Sequence, residues 1–145
     1  MYKHFGKRVI DIVISFCGIV VLLIPMGIIS VIIKLDSPGP VVFKQKRTGI
    51  KQKIFTVYKF RTMCDHAYEK GGIATSESDN RITKVGKVLR RTSLDEIPQL
   101  FNIVAGDMSF VGTRPEVEKY VKHYTDEMKA TLLMPAGLTS RASIA

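Results

Sequence analysis

Apolar and polar positions divide the chain into stretches of different period. Between Ile12 and Ile33 lie 22 residues without a formal charge, which as a helix would extend about 33 Å, roughly the hydrocarbon thickness of a bilayer. A soluble core helix seldom stays uncharged for so long, and no small-residue cleavage site follows to suggest a signal peptide. Pro25 falls near the middle, where it deletes a backbone donor and crowds the carbonyl four residues back. Lys3, Lys7 and Arg8 precede the run, and Lys34, Lys44, Lys46 and Arg47 follow it. A straight crossing would leave one basic flank outside the cell. A re-entrant helix bent or broken at Pro25 keeps both flanks on the cytoplasmic face, as the positive-inside bias requires.

Beyond residue 36 the period changes. "DSPGPVVFKQKRTG" reads as a turn, an extended stretch over Val41 to Gln45 and a basic turn closed by Gly49. "KIFTVYKFRTM" interleaves β-formers with polar residues and predicts a partner strand. Residues 64–80 are polar, carry paired glycines and predict a mobile surface loop, with His66 a solvated side chain rather than a metal ligand. From Ile82 to Arg91, Val85, Val88 and Leu89 share a helical face among Lys84, Lys87, Arg90 and Arg91, which suits a helix in the headgroup plane. Val117, Tyr120, Val121, Tyr124, Met128 and Leu132 predict a second amphipathic helix. The fold expected is α+β: residues 1–36 as the re-entrant membrane helix and 37–145 as one cytoplasmic region with a small β-ribbon and interfacial helices.

Charge narrows the partners. Lys and Arg number 22 against 13 Asp and Glu, a net charge of +9, which favours anions such as phospholipid headgroups and phosphorylated substrates. A nucleic-acid partner would rest on that charge alone, because no helix-turn-helix, zinc or RNP-type element is present. Cys17 and Cys64 are the two cysteines and form neither a disulfide framework nor a CxxC site, consistent with a reducing compartment.

Within this basic chain, "TSLDEIPQL" sets Asp95 and Glu96 side by side. Ser93 with Glu96, or Thr92 with Asp95, has the spacing of a capping box, so the pair is readable as a helix start. The wider order is more specific: a basic N-terminus, a proline-interrupted apolar run, "SPGPVVFKQKRTG", "FTVYKFRTM" and "DNRITKVGKVLRRTSLDEIPQLFNIVAGDMSFVGTRP". Over roughly residues 3 to 115 this order resembles the bacterial sugar transferase family, the monotopic phosphoglycosyl transferases that start glycan assembly on a polyprenyl phosphate carrier.

That resemblance implies a ping-pong reaction at the cytoplasmic face of the bacterial inner membrane, with both termini cytoplasmic and Mg²⁺ as cofactor. Asp95 would attack the sugar-bearing phosphorus of a nucleotide diphosphate sugar, a uridine nucleotide by family habit, and polyprenyl phosphate would then take the phosphosugar. A carboxylate is a competent nucleophile for this, and surrounding cations offset the phosphate charge. Asp95 and Glu96 would also be the metal ligands, since hard oxygen donors suit Mg²⁺. Lys59 of "YKFRTM", Arg90 of "LRRTSLDE" and Arg114 of "GTRP" match the phosphate-contacting positions, with Arg61 and Arg91 as weaker candidates. A helix dipole at the acids would keep Asp95 ionised.

Two departures from the family pattern stand out. Thr113 replaces a usual proline, which implies a less rigid loop around Arg114. Family members also continue beyond "MPAGLTSRASIA", so a C-terminal portion is expected to be missing. A catalytically silent membrane-surface module on the same scaffold is therefore the competing reading. The sequence leaves the sugar and the oligomeric state open.

Overall fold

The computed structural model describes residues 2–67, 69–71, 76 and 78–140. Its elements are α1 (Tyr2–Asp36), β1 (Val42–Thr48), a 3-10 turn (Ile50–Gln52), β2 (Ile54–Phe60), α2 (Lys84–Thr92), a second 3-10 turn (Leu94–Glu96), α3 (Gln99–Ala105), β3 (Met108–Val111), α4 (Glu118–Val121), α5 (Asp126–Lys129), a third 3-10 turn (Ala130–Leu133) and β4 (Ala136–Thr139). Helix and strand thus mix as an α+β fold. Contacts gather the chain into two compact units, one of Met1–Val21, Lys44–Tyr58 and Gln99–Ala145, the other of Leu22–Phe43 and Lys59–Pro98.

Helix α1 runs on through Pro25 instead of breaking there, which corrects the expected interruption of the helical pattern. A proline removes one hydrogen bond and crowds one carbonyl, here that of Val21, and the long apolar run on either side carries the helix across that local loss. Among the described residues, α1 is the one helix long and apolar enough to cross a membrane by length and composition. Its apolar side chains are largely bare: Val21, Ile24 and Leu35 are 74%, 76% and 83% exposed. A continuous apolar surface of this kind calls for a lipid or protein cover.

The first unit is fastened by polar groups. On α1, Asp11 and Ser15 are buried. Lys7 Nζ lies 3.1 Å from Asp11 Oδ2 and also donates to Ser109 Oγ, which itself donates to Asp11 at 2.5 Å. Arg8 donates to the carbonyls of Ile103 (2.5 Å) and Met108 (3.0 Å), so its charge covers the C-terminal end of α3. Strands β3 and β4 pair in parallel, with Met108 opposite Ala136 and Ser109 opposite Gly137. Gly112 and Gly137 approach so closely that a Cβ on either would strike the other's backbone, which explains why both are glycine. The single amphipathic helix expected over residues 117–132 is instead α4, α5 and a 3-10 turn. Thr125 interrupts it by capping a new start, its Oγ1 accepting from the Met128 N–H at 3.3 Å.

The second unit is built on an apolar core of Ile33, Phe60 and Leu89, against which Met26, Ile29, Val41, Val85 and Ile97 pack. Val85 and Leu89 of α2 therefore face protein rather than headgroups, while Val88 (60% exposed) remains outside with Lys84, Lys87 and Arg91. Arg61 is buried at the end of α1, donating to the carbonyls of Pro38 (2.5 Å) and Ser37 (2.7 Å) and to Ser37 Oγ (3.0 Å). Gly39 sits against that guanidinium at φ +118°, where a side chain would be both strained and obstructed. The "SPGP" stretch is thus the socket that seats Arg61.

Strands β1 and β2 form the expected two-stranded ribbon, closed by a tight turn with Lys51 and Gln52 at positive φ. The reading of residues 64–80 as a mobile loop falls partly outside the described residues, at 68, 72–75 and 77. Its described end is tied down by Arg81, which clasps Asp79 (Nη2 to Oδ2, 2.6 Å) and donates to the Ala67 carbonyl. His66 is exposed, 3.1 Å from Glu69 Oε1.

Candidate active site

Four of the expected site residues belong to the second unit: Lys59, Arg90, Asp95 and Glu96. Lys59 is the penultimate residue of β2. The strand's alternation buries its neighbour Phe60 in the core and leaves the lysine half-buried on the other side. Its ammonium pairs with Glu96 at 2.9 Å, both side chains being less than a quarter exposed. Such partly desolvated pairs hold geometry better than solvated surface pairs.

Helix α2 supplies Arg90. The helix starts at Thr83, whose Oγ1 accepts from the Gly86 N–H at 2.9 Å. It stops at Ser93, in the left-handed conformation (φ 57°, ψ 17°), whose N–H bonds back to the carbonyls of Arg90 and Leu89. Near the helix's end, Arg90 Nε donates to Thr62 Oγ1 at 2.8 Å.

The left-handed turn at Ser93 redirects the chain into the 3-10 turn that carries Asp95 and Glu96. Neither capping-box pairing forms. Ser93 makes no side-chain cap, and Thr92 Oγ1 donates to the Val88 carbonyl at 2.8 Å, inside the preceding helix. The acids therefore follow a helix end, and a three-residue turn has too few aligned peptides to supply the helix dipole expected from sequence. Asp95 is half-buried, and its pKa is raised above the ordinary aspartate value, chiefly because burial strips water from the charged form. The positive charge of Lys59 pulls the other way, Glu96 pushes upward again, and Arg90 offsets a further part. The dipole expectation thus gives way to a local balance, in which burial and Glu96 raise the pKa of Asp95 and the charges of Lys59 and Arg90 lower it. A partly desolvated acid among cations, with a shifted pKa, is a candidate for chemistry.

Among the described residues no group of three or more His, Cys, Asp or Glu side chains is placed to hold a metal. Mg²⁺ does not require one, since it is commonly held by one or two carboxylates with water and substrate phosphate completing its shell. The hard oxygens of Asp95 and Glu96 fit that chemistry.

Arg114 belongs to the first unit, exposed on the segment between β3 and α4. Beside it Thr113 is firmly held: its N–H donates to the Pro135 carbonyl (3.2 Å), its Oγ1 to the Thr131 carbonyl (3.1 Å), and its own carbonyl accepts from Gly137 N–H (2.8 Å). A proline could make neither donor bond, so threonine compensates through hydrogen bonding for the rigidity expected to be lost. Arg91 is exposed, and Arg61 is occupied at the end of α1.

Sequence reasoning missed two side chains. Thr62, buried in the second unit, holds Arg90. Asn102, fully buried in the first, accepts from the Tyr58 N–H at 3.1 Å and donates to the Thr56 carbonyl at 2.7 Å, satisfying backbone groups of β2. The one available signal for Asn102 was an amide standing inside the apolar run "LFNIV".

The profile described as bacterial sugar transferase matches residues 2–145. The chain belongs to the bacterial sugar transferase family. It is 42% identical over 124 residues to the UDP-N-acetylgalactosamine-undecaprenyl-phosphate N-acetylgalactosaminephosphotransferase of Aeromonas hydrophila, covering 86% of this chain and 29% of that protein. It is 48% identical over 109 residues to the exopolysaccharide production protein PSS of Rhizobium leguminosarum bv. phaseoli, covering 74% and 54%. A third relative, the UDP-glucose:undecaprenyl-phosphate glucose-1-phosphate transferase of Escherichia coli K12, is 38% identical over 141 residues, covering 95% and 30%. The chain thus spans about a third of the length of two of these family members and about half of the other.

Proposed function

We propose that the chain transfers a phosphosugar from a nucleotide diphosphate sugar, with uridine as the nucleotide, to polyprenyl phosphate, in the manner of the sugar phosphotransferases it resembles. The observation that carries this is Asp95, a desolvated carboxyl whose charge is offset by Lys59 and Arg90. In the first half-reaction an Asp95 carboxylate oxygen attacks the sugar-bearing phosphorus. The phosphoanhydride bond breaks, and the nucleoside monophosphate leaves with the bridging oxygen. In the second, a phosphate oxygen of the polyprenyl carrier attacks the same phosphorus and the Asp95 carboxylate departs, leaving a polyprenyl diphosphate sugar.

Lys59 serves as a point charge beside Glu96 and Arg90 as a fork for the phosphate oxygens. Arg114 is given the same task by its place in the "GTRP" motif. Asp95 and Glu96 would hold Mg²⁺, whose charge would offset that of the phosphates. A half-buried carboxylate cannot meet two phosphoanions in turn without such compensation.

A re-entrant placement of α1 at the cytoplasmic face of the inner membrane, with both termini cytoplasmic, fits this chemistry. In the first unit the N-terminal half of α1 is fastened through Lys7, Arg8 and Asp11 to residues 103–109. In the second, Met26, Ile29 and Ile33 of its C-terminal half pack with Phe60 and Leu89. The carbonyl left without a donor by Pro25 is that of Val21, and a re-entrant α1 would bend there without interruption of its helical course. Anionic phospholipid is the partner suited to Lys84, Lys87 and Arg91 around the exposed Val88.

The reading is tested by incubating the full chain, in vesicles containing polyprenyl phosphate and Mg²⁺, with a panel of labelled sugar nucleotides. Label extracted with the lipid from wild type but not from Asp95→Asn is the expected result. Absence of lipid-linked label with every donor would favour a silent module.

A further inference from the structure

Thr62 is 7% exposed and carries no charge, yet it organises the cationic side of the candidate site. Its carbonyl accepts from the Thr83 N–H at 3.0 Å, and Thr83 is the residue that caps α2. Its hydroxyl accepts from Arg90 Nε at 2.8 Å, seven residues, or about two helical turns, further along α2. Between these contacts Gly86 lies directly on the Thr62 backbone, and any Cβ there would run into the Thr62 carbonyl group. Helix α2 thus rests flat on one residue, gripped at its start through the backbone and near its end through the side chain.

The two grips differ in consequence. The backbone grip survives any side chain at position 62, whereas the hydroxyl grip depends on an acceptor at Oγ1. A guanidinium held through Nε has a fixed plane, and a fixed plane is what lets its Nη pair act as a fork toward a phosphate. We infer that Thr62 is a positioning residue that sets the plane of the Arg90 guanidinium for recognition of the donor's phosphates. The inference rests on the proposed phosphate role of Arg90 and adds the element that aims it. Thr62 itself touches neither substrate nor the reacting atoms.

Valine is close to threonine in shape and leaves the carbonyl contact to Thr83 in place, so Thr62→Val removes the hydroxyl grip alone. The test compares wild type, Thr62→Val, Thr62→Ser, Arg90→Gln and the Thr62→Val/Arg90→Gln double variant, all as full chains in phospholipid nanodiscs containing polyprenyl phosphate, with Mg²⁺ present. Two readouts are taken: steady-state kinetics with a sugar nucleotide, and the rate at which phenylglyoxal modifies Arg90, followed by peptide mass. Thr62→Val is expected to raise KM for the nucleotide sugar about tenfold, the value of a hydrogen bond to a charged group. Thr62→Ser should stay within about twofold of wild type, and the double variant should be no worse than Arg90→Gln. Arg90 should be modified several-fold faster in Thr62→Val than in wild type. Wild-type KM and labelling in Thr62→Val would overturn the inference, as would independent, multiplying effects of the two substitutions. Should wild type turn over no sugar nucleotide, the proposed function fails, and the labelling rates still decide whether Thr62 holds Arg90.

Discussion

Asp11 and Asp95 sit in the two compact units and show opposite treatments of a partly or wholly buried acid. Asp11 is 6% exposed and fully enclosed by partners, with the Lys7 ammonium and the Ser109 hydroxyl both on Oδ2. Asp95 remains half-open, is raised in pKa by lost hydration, and has its cations arranged around it with the lysine of nearest effect, Lys59, itself bound to Glu96. The first arrangement spends its charge on holding α1 to β3. The second leaves an acid incompletely compensated, which adds nothing to folding and is what a reaction with an incoming phosphate and metal can use. A buried acid that is closed off is architecture; one left in electrostatic imbalance is a candidate for chemistry.

The sharpest way to break that contrast is to neutralise each acid. Asp95→Asn should lower turnover by about a thousandfold or more while the protein stays folded. Asp11→Asn should keep turnover per folded molecule and lower stability by about 2 kcal/mol, because Lys7 and Ser109 lose their charged acceptor. Turnover assays alongside denaturant melts separate the two outcomes, and equal loss of activity in both variants would erase the distinction. Asn102→Ala sharpens the architectural side. It strands the Tyr58 N–H and the Thr56 carbonyl and leaves a cavity, at an expected cost of about 3 kcal/mol, read from the same melts. A cost near zero would mean that β2 does not depend on that amide.

Thr113→Pro tests the loop of Arg114 on a smaller scale. Proline at this position removes the donor bonds to Pro135 and Thr131 and should destabilise this chain by about 1 kcal/mol, whereas stabilisation would show that rigidity here comes from the ring.

The smallest effect follows from the sign of the Asp95 shift. Its folded pKa is raised, so its contribution to stability is fully present below the ordinary aspartate value of 3.8 and is lost as pH rises through the folded value. Asp95→Asn should therefore melt higher than wild type at neutral pH and lose that advantage below pH 3.8. Wild-type turnover should fall on acidification with a midpoint above that same value, since only the ionised carboxylate attacks. A melting advantage that grows toward low pH would contradict the cause assigned to the shift.

What was legible in the sequence followed from strong local signals. The long uncharged run gave α1 and alternation gave the β1–β2 ribbon, while the order of motifs pointed to Lys59, Arg90, Asp95 and Glu96, all of which belong to the second unit, where Lys59 pairs with Glu96. What was not legible depended on distant partners. The capping-box spacing at Ser93 was misleading because a left-handed residue can end one helix as easily as a side chain can start another. The parallel pairing of β3 with β4 joins residues 108 and 136, a separation at which no periodicity survives. Arg61 looked like a phosphate ligand because sequence shows a charge but not the carbonyls of Ser37 and Pro38 that occupy it. Val85 and Leu89 looked lipid-facing because an amphipathic pattern states that an apolar face is covered, not what covers it.

The central claim is that the Asp95 carboxylate carries the phosphosugar between donor and acceptor. Intact-mass spectrometry of the full chain, incubated with sugar nucleotides and Mg²⁺ without polyprenyl phosphate, reads this directly. The account predicts an increase equal to one phosphosugar, mapped to the peptide holding Asp95, absent in Asp95→Asn and discharged on adding polyprenyl phosphate. Lipid-linked product formed by wild type with no such adduct, or an adduct that persists in Asp95→Asn, would contradict it.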